Sequence, residues 1–78
     1  MDICSEISGM IAKGFAVGEE MVVSGAHLQD DLGGDSLLLL NLAEDIAERY
    51  AVEITGDDLV DVPNVGELVN LVESRIAS

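Results

Sequence analysis

Ser36 is the residue of this 78-residue chain whose surroundings most invite chemistry, because it closes the run Asp31-Leu32-Gly33-Gly34-Asp35-Ser36 and is followed by four leucines, Leu37 to Leu40. Gly33 and Gly34 permit a backbone turn that other residues resist. The helical pattern that begins at Leu37 puts the serine at the mouth of a helix. A hydroxyl there is exposed, beside the partial positive charge that a helix N-terminus offers to a phosphate group. Three roles fit these residues. Asp35 or Ser36 can cap the helix by accepting its first amide hydrogens. Ser36 can be a catalytic nucleophile, and Asp35 beside it could instead bind a metal ion or orient an incoming group. Ser36 can also accept a covalent group installed by another enzyme.

The nucleophile has little support elsewhere in the chain. Gly-Asp-Ser-Leu occurs in lipases and esterases whose serine works with a histidine base, but the one histidine here, His27, lies upstream in a loop. No G-x-S-x-G elbow is present, and 78 residues cannot build the sheet such hydrolases need. An EF-hand beginning at Asp30 or Asp31 would need oxygen ligands where Leu32 or Gly33 stands and a glutamate where Asn41 or Leu42 stands. Clustered carboxylates at Asp57, Asp58 and Asp61 leave room only for loose divalent-ion binding.

Composition narrows the class. Sixteen acidic and three basic residues give a formal charge of −13, which repels nucleic-acid phosphates and anionic lipid heads. Leu, Ile, Val and Phe make up 26 of the 78 residues, too many for an acidic disordered tail, so the chain is expected to fold. The length suits one domain spanning residues 1–78. A single cysteine, Cys4, allows no internal disulfide and no cysteine zinc site, and reads as a small buried or half-buried thiol. No secretory signal is visible and the leucine run is too short to span a bilayer, so the expected setting is cytoplasmic, without membrane insertion.

The elements that must position Ser36 are helical. Ile3, Ile7, Ile11 and Phe15 recur every four residues and predict a first helix ending near Val17-Gly18. From Gly18 to Asp35 no periodic stripe survives, and this long loop is expected to be pinned by Met21, Val22, Leu28 and Leu32. A second helix runs from Leu37 to about Tyr50, with Leu39, Leu42, Ala43, Ile46 and Tyr50 facing inward. Leu38, Asp45 and Arg49 fall on its far side, and Leu37 or Leu40 is left near the surface. Thr55 and Asp58 resemble a capping box for a short third helix ending by Asp61, which buries Leu59 and draws in Val60. Pro63-Asn64 stops it and caps a last helix from Val65 to about Ala77, with Val65, Leu68, Val69, Val72 and Ile76 inward. The fold class is all-α, a small four-helix bundle.

With this layout around it, the segment Asp31 to Leu37 resembles the acyl carrier proteins, and the likeness covers nearly the whole chain. The resemblance implies a fold of acyl-carrier type, with a long loop between helices 1 and 2 and a short third helix. It implies that Ser36, flanked by Asp35 and Leu37, receives 4′-phosphopantetheine from coenzyme A, and that the arm's thiol carries acyl groups as thioesters. The carrier is then not itself an enzyme. Its partners are a phosphopantetheinyl transferase and acyl-loading and acyl-processing enzymes with basic docking patches, meeting a monomer at Leu37, Leu40, Glu44 and Glu48. Leu32 to Leu37 and the later Val62-Pro63-Asn64-Val65-Gly66-Glu67-Leu68 also resemble peptidyl or aryl carrier domains of nonribosomal synthetases, which share the arm but carry aminoacyl or aryl cargo. Fatty-acid carriers tend to place acids two and five positions after the serine, where this chain has Leu38 and Asn41. That departure points to a specialised freestanding carrier in a fatty-acid, polyketide or lipid pathway. The apolar core can shelter cargo or simply pack. An unmodified acidic adaptor using the same helix 2 face is the rival from another class.

Overall fold

Asp2 starts the first helix, its carboxylate accepting the Cys4 amide at 3.3 Å. The structure is a computed structural model that describes residues 2–77. Helix α1 spans Ile3–Phe15 and stops two residues before the expected end, because Ala16 turns left-handed (φ 56°) and the Val17 amide folds back onto the Ala12 carbonyl. A single 3₁₀ turn at Glu19–Met21 follows. Helix α2 covers Ser36–Tyr50, α3 covers Gly56–Val60, and α4 covers Val65–Ala77. No strand occurs among the described residues, and the bundle is all-α with four helices, as the periodicity predicts.

Each helix start is secured by a local side chain. Asp35 caps α2 by accepting the Leu38 amide at 2.9 Å. Thr55 and Asp58 form the reciprocal capping box of α3, so the short aspartate reaches as well as the usual glutamate. Asn64 accepts the Glu67 amide at 2.9 Å at the head of α4. There the long loop also contributes, since the carbonyls of Ala26 and Ser24 accept the amides of Val65 and Gly66. These bonds satisfy donors that a helix N-terminus otherwise leaves unpaired.

Burial follows the predicted stripes with five corrections. Ile7, Ile11, Leu39, Ile46, Leu59, Leu68 and Val72 are fully buried, and Val22, Leu28 and Leu32 pin the loop over them. Met21 is exposed, because the 3₁₀ turn hands the inward position to Val22. Val60 is exposed, because a five-residue helix offers one inward side chain and Leu59 takes it. Ile76 is exposed in the last turn of α4, where the neighbouring Arg75 reaches across to the carbonyl of Glu53. Leu38 is half-buried against the core rather than on the far side of α2, since that helix is flanked by both α1 and α3. Tyr50 is only half-buried, held by a polar contact at its tip.

That contact ties the start of α1 to the end of α2. The Tyr50 hydroxyl donates to Glu6 at 2.7 Å, and the Arg49 guanidinium lies 3.1 Å from the same carboxylate. Partial burial and then the Glu6 carboxylate push the Tyr50 phenol up to about 12. A phenol whose folded pKa is raised stabilises the fold below its unfolded value near 10, and that contribution drains away as pH rises toward 12. The urea midpoint should therefore fall between these two pH values. Tyr50→Phe should flatten that part of the curve, and an equal fall in the variant would assign the effect to another group.

Candidate functional site

The turn that delivers Ser36 is built from backbone contacts around two glycines. Gly33 adopts a left-handed conformation (φ 72°), and the Gly34 amide donates to the Leu28 carbonyl at 2.8 Å. A Cβ on Gly34 would stand 2.7 Å from that carbonyl oxygen and 2.8 Å from Cε2 of Phe15, so the chain passes too close here for a side chain without adjustment. The turn before α2 is thereby held close against Leu28 of the loop and the Phe15 ring at the end of α1. Asp35 then leaves the turn extended and commits one carboxylate oxygen to the Leu38 amide.

Ser36 is the first residue of α2, so of the two candidate caps Asp35 is the one used. Its side chain is exposed, and its hydroxyl has no hydrogen-bond partner among the described residues. The amides of Ser36 and Leu37 precede the first helical carbonyl they could use. A phosphodiester on the serine oxygen would meet those donors at the positive end of a 15-residue helix. The residues present thus fit a phosphate-linked arm.

His27 is engaged elsewhere. Its Nδ1 accepts the amides of Gln29 and Asp30, each at 3.2 Å, while its own amide donates to Asp31 at 2.8 Å. The imidazole is half-buried in the loop and caps the turn before Gly33, and that use of Nδ1 supports no serine–histidine pairing. The three aspartates around α3 are not a joint ligand set either. Asp58 faces Thr55 and Arg75, and the Thr55 amide first, then Arg75, hold its carboxyl below the usual range against the opposing effect of burial. No group of three or more potential metal ligands assembles among the described residues.

Beyond Ser36, α2 changes character along its exposed side. Leu37 and Leu40 are 63% and 47% exposed, Asn41 is exposed and neutral, and Glu44, Asp45 and Glu48 are exposed acids one to two turns further on. The open groove between α1 and α2 is rimmed by Glu6, Lys13, Asp45, Glu48 and Arg49, with Met10 and two glycines between them. No helix among the described residues is long and apolar enough to cross a membrane.

The comparisons with known proteins agree with this geometry. The family model described as "Phosphopantetheine attachment site" matches residues 5–72. An acyl carrier protein of Thermotoga maritima is 33% identical over 75 residues, which span 96% of this chain and 93% of the relative. The fold matches the NMR structure of the HMG-ACPI domain from the CurA module of Lyngbya majuscula with a TM-score of 0.83 at 20% identity, over 96% of this chain and 76% of that one.

Proposed function

The chain belongs to the acyl carrier protein family, and from that premise we propose that Ser36 is the attachment point of its 4′-phosphopantetheine arm. The prosthetic group itself follows from membership, because the matched family is defined by its covalent attachment site. One observation carries the choice of Ser36: its unpartnered hydroxyl stands at the first position of α2, on amide donors that suit a phosphodiester. When attached, the arm supplies a thiol that holds acyl groups as thioesters. Asp35 and Leu37 present the site, the first through the cap and the second as its exposed neighbour.

On this reading the protein is a cytoplasmic monomer, and a carrier whose partners do the catalysis. The Thermotoga relative, matched over 93% of its own length, supports a carrier of this size. Leu38, half-buried, and Asn41, exposed, are both neutral where fatty-acid carriers tend to be acidic, which supports a dedicated fatty-acid, polyketide or lipid pathway over general fatty-acid synthesis.

Incubation with coenzyme A and a broad-range phosphopantetheinyl transferase tests the carrier role. The intact mass should rise by one arm, and one thiol beyond Cys4 should become titratable. An unchanged mass, under conditions that load a control carrier, contradicts the proposal.

Glu44 and Glu48 steer basic partners toward the arm. Steering acts on association and fades with salt. Reversing both to lysine should slow cargo loading about tenfold at low salt, and far less near about 1 M salt, where charges separated by more than ~3 Å are screened. Equal rates at low salt would remove steering from the account.

A further inference from the structure

The loop that leads to Ser36 is closed by the chain's one histidine. His27 Nδ1 accepts the amides of Gln29 and Asp30, each at 3.2 Å, and the His27 carbonyl accepts those of Asp31 and Leu32 at 2.9 and 3.1 Å. Four successive amides, from Gln29 to Leu32, thus end on one residue. The neighbours of His27 carry the connections outward. The Ala26 carbonyl holds the Val65 amide at the head of α4, and the Leu28 carbonyl holds the Gly34 amide, two residues before Ser36. Leu28 and Leu32 are buried and fasten the loop to the core, so a change at the imidazole stays local to the turn.

An imidazole differs from other caps because it can take up a charge within the physiological pH range. Nδ1 accepts an amide only while it carries no proton. A proton there makes it a donor facing two N–H groups, and both bonds are lost together. The Asp30 carboxylate can take the new N–H: its Oδ2 lies 3.8 Å from Nδ1. Asp31, the other acid at this residue, already accepts the His27 backbone amide at 2.8 Å. Among the described residues, no hydrogen bond or ion pair from a titratable side chain of the four helices reaches the imidazole. The ring is part exposed, so solvent can deliver the proton.

We infer that His27 is a proton-operated latch on the Ser36 turn, closed while Nδ1 is free and open when that atom is protonated and paired with Asp30. Loading at Ser36 then slows as pH falls through the histidine range. The effect on loading rests on Ser36 being the modified residue, whereas the latch itself does not.

Amide NMR spectra of the full chain between about pH 8 and about pH 5.5 test it, since free carboxylates titrate near about 4 and imidazole near about 6.5. The comparison chains are His27→Asn, whose amide oxygen can cap without titrating, and Asp30→Asn, which leaves the cap in place. Circular dichroism checks that each stays folded, and Asp30→Asn keeps the test decisive should the His27 variant not fold. In the parent, the Gln29, Asp30 and Gly34 amides should move together along one titration curve. They should hold still in His27→Asn, and in Asp30→Asn the midpoint should fall to lower pH. Loading by coenzyme A and a broad-range transferase, read by intact mass, should match in parent and His27→Asn at the higher pH. At the lower pH the parent should be about fivefold slower, the effect of one lost hydrogen bond.

Parent amides that stay put, or that move equally in His27→Asn, would overturn the latch. So would an unchanged midpoint in Asp30→Asn, or a Gly34 amide that ignores the change at Gln29. Moving amides with equal loading at both pH values would overturn the effect on Ser36. Moving amides on a parent that takes no arm at either pH would support the latch and take down the Ser36 reading instead.

Discussion

Ser36→Ala should abolish loading altogether while leaving the fold within about 0.5 kcal/mol of the parent. The two halves of that expectation have separate physical grounds. The serine hydroxyl makes no hydrogen bond among the described residues, and the cap of α2 is Asp35, so removing one oxygen at the first helical position unbinds nothing inside the protein. Alanine is also the better helix former. Loading, by contrast, has no second acceptor of this kind among the described residues: none of the other described serines stands on a helix start behind two glycines. Circular dichroism and a urea titration check the fold, and intact mass after incubation with coenzyme A and a transferase checks loading. Asp35→Ala is the informative contrast. It should cost about 1 kcal/mol through the lost cap and slow transfer without ending it. A Ser36→Ala chain that still gains an arm would remove Ser36 from the account.

Ile46→Ala should be among the most damaging single changes to the fold, costing about 3–4 kcal/mol. Ile46 is fully buried in the middle of α2, among side chains of the one apolar core. No polar group is buried there among the described residues, so the cost is the lost transfer of the side chain plus the cavity it leaves. Stability for a domain of this length is about 4–12 kcal/mol, so the loss is a large share of the whole. The urea midpoint should drop with little change in slope. A cost below about 1 kcal/mol would mean that the core closes elsewhere.

Much of the fold was legible because its signals are local and repeated. The four-residue spacing of Ile3, Ile7, Ile11 and Phe15 and the stripe through Leu39, Leu42, Ala43 and Ile46 specify helices wherever they occur, and Asp35, Thr55 and Asn64 mark their starts. The place of Ser36 at the start of α2 was legible for the same reason, since the cap at Asp35 and the stripe that follows fix where that helix begins. Val60, Met21 and Ile76 were not. A five-residue helix and a single 3₁₀ turn are too short for periodicity to phase, and the last turn of α4 continues its stripe into solvent beside Arg75. Leu38 depends on how many neighbours α2 has, which no single helix records. The long loop was recognised as a loop, but its bonds from Ser24 and Ala26 to the head of α4 span some forty residues and leave no local mark. The capping role of His27 is local, yet imidazole is an uncommon cap and its pattern is easily passed over.

The site of attachment tests the central claim most directly. Proteolysis of the loaded protein, followed by fragmentation mass spectrometry, locates the arm on a single residue. The account predicts one phosphopantetheine, on the peptide bearing Ser36, with fragment ions that place it on that serine. An arm on Ser24, or on any peptide without Ser36, would contradict it.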